Sequence, residues 1–406
     1  MVQHLSYHKQ NTPRTMRIIH TADWHLGRRF RGIDRTLEIA IALEQILKQA
    51  KALDVDAVLV AGDIFDVPNP TAYAERIAYN FFCELQAAGI PAIAIAGNHD
   101  SASRIDSIAQ LLSLAGVRAL GKPRRSADGG TITLNTKSGK LCVGAMPFAS
   151  EQRLLDANSL WQSGDAERRK DYREIVAYLL EDLTRDFRDN TVNFLMGHMS
   201  IDGARLAKSE VAYYTREKYL LSSQTLPPEA QYVALGHIHI HQRISETSPA
   251  YYSGSLIQLD FGEAEQEKGF CLIEVEPGSQ AKVEFKPVTC HKPLKVLKCH
   301  NDNLDETLQA HQYHPGFLKV IVEMDSPQIG LADRVRQICS QALLIEPRYP
   351  DAALEPTEIT NIDPNNFDPA AEFCNYYQNR LGTTPKPAVL EEFQNLYKKF
   401  KETVNN

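Results

Sequence analysis

The sequence lacks any apolar run near the roughly 20 residues that a membrane-spanning helix needs, so no membrane partner is expected. It also lacks a CxxC pair. Its 7 cysteines are scattered and odd in number, which argues against both a disulfide framework and a thiolate zinc site and fits a reducing cytoplasm. Positive charge is not in excess: 44 Lys and Arg against 51 Asp and Glu leave a formal charge of -7. That balance excludes a protein that coats nucleic acid by charge alone, so any contact with DNA must be local. No Walker motif is present, and ATP hydrolysis is not expected of this chain. Residues 1–15 are polar, without the apolar core of a signal peptide, and export is not expected. Because Met16 directly precedes the first strand-like run, residues 1–15 read as a disordered extension or as the product of an upstream start codon.

The 406 residues suffice for two or three domains at about 150 residues each. A composition of 43% hydrophobic and 23% charged residues is that of a globular protein. Short apolar runs at 17–20, 57–61, 93–96, 193–196 and 232–235 each end at a polar, Gly-containing cluster and read as buried strands. Helix-period segments lie between the first three, with Ile33, Leu37, Ile41 and Leu47 in one and Ile77, Phe81, Phe82 and Leu85 in the other. Alternating strand and helix imply an α/β fold. Strand-like runs at 270–276 and 283–288 are expected to complete a second sheet of the same domain, which ends near Lys292. The expected order over 293–350 is strand, helix, strand, helix, strand, a small α/β cap. A polar linker over 351–367 precedes a helix-loop-helix tail at 368–406.

The polar clusters carry the chemistry. In order they are Asp23-Trp24-His25, Gly62-Asp63-Ile64-Phe65-Asp66, Gly97-Asn98-His99-Asp100, Gly197-His198 and Gly236-His237-Ile238-His239. Carboxylate, imidazole and amide oxygen without thiolate suit Mn, Mg or Fe(II), and a two-metal hydrolytic site needs a bridging carboxylate, for which Asp63 is the natural choice. The DxH and HxH spacings let alternate residues leaving a strand point the same way, so two ligands can reach one ion. Taken singly, each cluster has a plainer explanation, a helix cap or a structural hydrogen bond. Five of them at strand ends call for a common one.

These stretches, with Tyr252-Ser253-Gly254-Ser255, resemble the calcineurin-like metallophosphoesterases, and within them the SbcD family of nuclease subunits. The resemblance is carried by motifs between His20 and Ser255; the later segments match in layout only. It implies a sandwich of two sheets flanked by helices at 16–292, with the α/β cap and the helical tail beyond. It further implies that Asp23, His25 and His239 share one ion with Asp63, while Asn98, His198 and His237 hold a second ion against the same Asp63. Manganese is the implied metal, with in-line attack of an activated water on phosphorus. His99 is left as the catalytic imidazole, with Asp66 orienting its ring, and Asp100 as support. His20 is expected to pack in the core and His241 to lie past the metals.

Arg28, Arg29, Arg31 and Arg35 follow the first motif; they read equally as contacts to a DNA backbone and as a solvated turn. The resemblance implies a homodimer through residues 72–85 and 105–114, within a heterotetramer. It also implies a tail that grips an SbcC-like coiled-coil ATPase through Phe373, Tyr377, Leu390, Phe393, Leu396 and Phe400, a reading favoured over the simpler one in which two amphipathic helices fold back onto their own domain. The expected activity is cleavage of double-stranded DNA ends and hairpins in replication, recombination and repair. The alternatives are a phosphoesterase acting on nucleotides or phosphoproteins, and a scaffold for the ATPase at DNA ends.

Overall fold

A computed structural model describes residues 15–150, 153–154, 172–207, 209–210, 219–245, 249–326, 328, 330–349, 368–381 and 384–404. The linker expected at 351–367, and all but the last residue of the extension expected at 1–15, lie outside these residues. The chain divides into two compact units, one ending at Arg348 and one beginning at Tyr349.

The first unit contains two six-stranded sheets. In one, the strand Met16–Thr21 lies beside Ala57–Val60, followed by Ala92–Ile95 and Val117–Leu120, all parallel. These strands are largely apolar because both faces are covered. Ile19, Val58, Val60 and Ala94 face the helices Thr36–Ala52 and Ala72–Ala87. Ile18, Leu59, Ile93 and Ile95 face Val143, Phe194, Met196 and Ala234 of the other sheet. That second sheet runs in the order Gln242–Ser245, Ala250–Tyr252, Tyr232–Gly236, Val192–His198, Gly139–Met146 and Thr131–Thr136. Its outer face packs on the helix Tyr172–Thr184 through Val176, Leu179, Leu180 and Leu183.

Register positions the site. Thr21 pairs with Val60, Val60 with Ala94, and Gly236 with His198, so the parallel strands end level and release their polar clusters at one rim. This is the carboxyl edge at which open α/β sheets gather ligands.

Two expectations are corrected. The strand Gly269–Val275 pairs antiparallel with Met16–Thr21, and Lys282–Pro287 pairs antiparallel with Gly269–Val275, so both extend the first sheet and do not complete the second. An apolar run carries its burial but not its partner, and the edge of the second sheet is instead formed by the strands Gly139–Met146 and Thr131–Thr136, which sequence reasoning missed. Ile33 is not helical: it pairs with Phe30 in a short hairpin. The buried stripe of the following helix is Ile39, Ala42, Leu43, Ile46 and Ala50, while Leu37 is 58% exposed. Each fully buried Leu or Ile in that stripe contributes roughly 1.5–3 kcal/mol.

Beyond Lys292 the chain forms a three-stranded parallel sheet, Leu294–His300, Phe317–Glu323 and Ala342–Arg348, with helices Leu304–His311 and Leu331–Ile338. The strand-helix alternation agrees with the sequence pattern, the last strand opening at Ala342. This sheet meets the rest of its unit through Leu294 and Phe317, which pack on Phe30 and Phe261.

In the second unit, helices Pro369–Leu381 and Pro387–Val404 bring Phe373 and Phe393 into a stack with centroids 4.2 Å apart. Tyr377 and Tyr397 flank the stack at 5.8 and 6.3 Å. Leu390 is half-buried and Leu396 is 55% exposed, while the side chain of Phe400 lies outside the described residues.

Candidate two-metal active site

Asp23, His25, Asp63, Asn98, His99, His198, His237 and His239 all emerge at the common rim. Several leave it in strained backbone: Asp23, His25, Asp63 and His237 have φ of 53°, 51°, 49° and 99°. Non-glycine residues avoid this region, and holding four of them there costs of order 1–3 kcal/mol each, a pattern that clusters at functional sites. The strain is supported by cross-loop hydrogen bonds. Asp23 and His25 donate their N–H groups to the carbonyls of Gly62 and Asp63, each at 3.0 Å. Gly62 itself needs its φ of 92°, and a Cβ on Gly97 would overlap Asp63.

The donors form overlapping groups. Asp23, His25 and His239 place one ligand atom each within 4.8 Å of the others, as do Asp23, Asp63 and His198, and also His25, Asp63 and His99. Asn98 Oδ1 stands 2.9 Å from His198 Nε2 and 2.8 Å from His237 Nδ1. His198 Nδ1 donates to the Ala61 carbonyl at 2.8 Å, which turns Nε2 toward Asp63 Oδ2 at 3.4 Å. His25 Nδ1 faces Asp66 Oδ1 at 3.1 Å, leaving its Nε2 only 3.2 Å from His239 Nε2. Two ring nitrogens so close require a proton or a cation beside them.

Burial sets the electrostatics. It pushes Asp23 up to about 7 against the pull of His198 and His239. Burial also works against ionised Asp63, but His198 and His25 override it and hold that carboxyl well below its usual range. His198 is lifted to about 9 because Asp63 and Asp23 outweigh its burial. Burial takes His25 down to about 4, and burial with the neighbouring His198 holds His237 well below the usual imidazole range.

The supporting residues depart in part from expectation. Asp100 accepts from the N–H groups of Ile64, Phe65 and Gly97 at 3.1, 2.9 and 2.8 Å, tying two loops together. Burial and Asp63 raise it to about 6. His99 donates from Nδ1 to the main-chain carbonyl of Asp66 at 2.8 Å. The Asp66 carboxylate does not orient that ring as expected; it binds His25 and, at 3.2 Å, Arg28. The main chain reaches His99 because the side chain already points at the first loop.

Arg35 is fully buried, paired with Glu38 and donating to the carbonyls of Gln258 and Lys292 at 3.2 and 3.3 Å. It therefore cannot meet a DNA backbone, and that expectation is withdrawn. Arg29 and Arg31 are exposed, with Arg29 donating to Gly32 O at 2.8 Å. His20 is core, its Nδ1 2.9 Å from the Tyr232 hydroxyl. His241 stacks on Phe285 at 4.2 Å, away from the ligand cluster.

Sequence reasoning missed Arg153, whose guanidinium donates to the carbonyls of Gly97 and Asp100 at 2.8 and 2.6 Å. It also missed Ser209, Glu210, Glu263 and Lys268 around His239. Glu210 Oε1 accepts from the His239 N–H at 3.2 Å. Although burial opposes it, Glu263 is drawn down to about 2 by His239 and Lys268. Nothing local marks these four residues; only the fold brings them onto a ligand from 24 to 30 positions away.

Residues 16–241, more than half of the chain, match the model of the calcineurin-like phosphoesterases. The chain is 33% identical over 289 residues to the SbcD subunit of the SbcCD nuclease from Bacillus subtilis (strain 168), covering 70% of this chain and 73% of that one. It is 29% identical over 310 residues to the SbcD protein of Escherichia coli (strain K12), covering 73% and 74%. The chain belongs to the SbcD branch of the calcineurin-like phosphoesterases. The SbcD protein of Staphylococcus epidermidis is 28% identical over 307 residues, covering 72% of this chain and 74% of that one.

An SbcD-branch phosphoesterase hydrolyses phosphodiester bonds with two divalent metal ions, and the residues present fit such ions. The donors are oxygen and imidazole nitrogen, the set that suits hard and borderline divalent ions. The Nε2 atom of His237 is buried without a hydrogen-bond partner, and Asp23 and Asp63 are buried acids that a dication would compensate. Among the described residues no helix is long and apolar enough to cross a membrane.

Proposed function

We propose that this chain is a manganese-dependent DNA nuclease that cuts at double-strand ends and at hairpins, working with an SbcC-like coiled-coil ATPase. The observation that carries the reading is the convergence of seven oxygen and nitrogen donors with His99 at one rim. In this reading Asp23, His25 and His239 hold one ion, Asn98, His198 and His237 hold the other, and Asp63 bridges. Bound divalent ions supply Lewis-acid stabilisation of phosphoryl charge and lower the pKa of water.

The chain's own residues do the rest. His99, oriented through Nδ1 by the Asp66 carbonyl, has Nε2 free to stabilise the transition state and to protonate the departing sugar oxygen. His99 also falls within one of the ligand-distance groups, so the metal content of a His99 variant must be measured together with its rate. Arg29 and Arg31, exposed on the hairpin beside the first motif, are suited to hold the strand by its phosphates. Residues 293–350 act as a cap that steers DNA toward the rim.

Tyr73, Leu111 and Leu114 are 43%, 67% and 78% exposed on the helices Ala72–Ala87 and Ala102–Leu114, which supports a homodimer through these helices. A monomer by light scattering at micromolar concentration would remove that part. In the tail, exposed Tyr376, Val389 and Leu396 supply an apolar surface outside the Phe373–Phe393 stack for the ATPase. The deciding experiment incubates the chain and Mn²⁺ with duplex and hairpin oligonucleotides and, separately, with a small phosphodiester. Cleavage of DNA is expected; hydrolysis of the small ester alone sinks the nuclease reading.

A further inference from the structure

Behind His239 stands a buried assembly that the proposed chemistry does not use. Glu263 and Lys268 are both buried and pair at 2.6 Å through Glu263 Oε2. Lys268 Nζ also donates to the main-chain carbonyl of His239 at 2.8 Å and to Gln266 Oε1 at 3.0 Å. Leu259 N–H fixes Glu263 Oε2 at 3.1 Å. The other oxygen, Oε1, accepts the Ser209 hydroxyl, whose Oγ lies 2.6 Å from His239 Nδ1.

The donor and acceptor inventory orders this chain. A carboxylate only accepts, so the Ser209 proton points to Glu263, and the hydroxyl lone pair is left to accept from His239 Nδ1–H. With Nδ1 occupied, the ring's remaining nitrogen, Nε2, is the one turned toward His25. A buried ion pair is weak as a stabiliser because both charges lose water. This one grips a single residue at both its ring and its main chain.

We propose that the Glu263–Lys268 pair, acting through Ser209, is the positioning element that keeps His239 in its ion-binding tautomer and so sets the affinity of one metal site independently of the other. The proposal rests on His239 being an ion ligand. Carboxylates behind ligating imidazoles typically change metal affinity by about 10–100-fold.

The test titrates Mn²⁺ by calorimetry into the full chain stripped with chelator, comparing wild type with Glu263→Gln, Ser209→Ala and His239→Asn, and follows thermal unfolding of each ion-free protein. Glu263→Gln and Ser209→Ala are expected to weaken one of the two sites about 10–100-fold and leave the other at its wild-type affinity. His239→Asn should lose that same site. If His239→Asn loses a site while the other two variants bind both ions as the wild type does, the inference is overturned, even where they unfold at a lower temperature. If His239→Asn keeps both sites, the assignment of His239 as a ligand falls instead. Ser209→Ala leaves the ion pair intact, so it decides the question should Glu263→Gln fail to fold.

Discussion

The two halves of the site are held by different means. In the half containing His25 and His239, each ring leans on a carboxylate, Asp66 directly and Glu263 through Ser209. In the half containing His198 and His237, orientation comes from the main-chain carbonyl of Ala61 and the neutral side chain of Asn98. Asp63 lies between them, in contact range of His25 and His198 at 3.8 and 3.4 Å. A carboxylate raises the basicity of the ring it holds, whereas a carbonyl mainly fixes its direction. The first half should therefore be tunable by side-chain substitution and the second by changes in backbone.

The largest effect is expected where the halves meet. Asp63→Ala removes the carboxylate that lies between His25 and His198, and metal analysis should find both ions weakened and DNA cleavage below detection. Retention of one ion at wild-type affinity would show that the halves are independent. His99→Ala comes next: a loss of about 10²–10⁴-fold in cleavage rate, with both ions retained, is the magnitude of a general acid. Loss of an ion in that variant would move His99 among the ligands.

A third pair of variants sets the halves against each other. Asp66→Asn keeps the shape of the side chain but removes its charge, and should weaken ion binding at the His25 half by about 10–100-fold. Gly62→Ala acts through the backbone, forcing a side chain onto φ 92° and toward the His198 ring, and should disturb the His198 half with a strain of order 1–3 kcal/mol. Crossed effects, with Asp66→Asn weakening the His198 half, would erase the distinction.

The difference also explains what the sequence could reveal. The ligands are legible because each follows a strand-like run, and alternation along an extended chain forces pairs such as His237 and His239 to point together. Gly62 and Gly97 are legible as shape-givers for the same local reason. Asp66 lies close to Asp63 in the chain and so invites pairing with His99, yet its carboxylate turns to His25, 41 positions earlier. Ser209, Glu263 and Lys268 carry no periodic signature at all. The same limit hides the place of the strand Gly269–Val275, whose apolar character is plain but whose neighbour, Met16–Thr21, lies at the other end of the domain. Arg35 misleads differently: an arginine among arginines reads as surface, and only the fold shows it buried against Glu38 and beneath Phe317.

The smallest expected effect is on the ion-free protein, where His198 and His25 should respond to pH in opposite senses. His198 is raised in the folded state to about 9, so its contribution to stability is full below about 6.5 and is lost as pH rises through 9. Asp23, pushed up to about 7, acts in the same direction, its contribution lost as pH rises through that value. His25 is lowered to about 4, so its contribution is present above about 6.5 and is lost as pH falls toward 4. Each unit of difference between folded and unfolded states corresponds to about 1.4 kcal/mol. Urea unfolding of chelator-treated protein between pH 4 and pH 9 should therefore fall off on both sides, with His198→Asn flattening the alkaline limb and His25→Asn the acid limb. The reverse assignment would mean that Asp63 and Asp23 do not dominate the surroundings of His198, because their negative charge, helped by the hydrogen bonds to Asp63 and the Ala61 carbonyl, lifts that buried ring above its ordinary value.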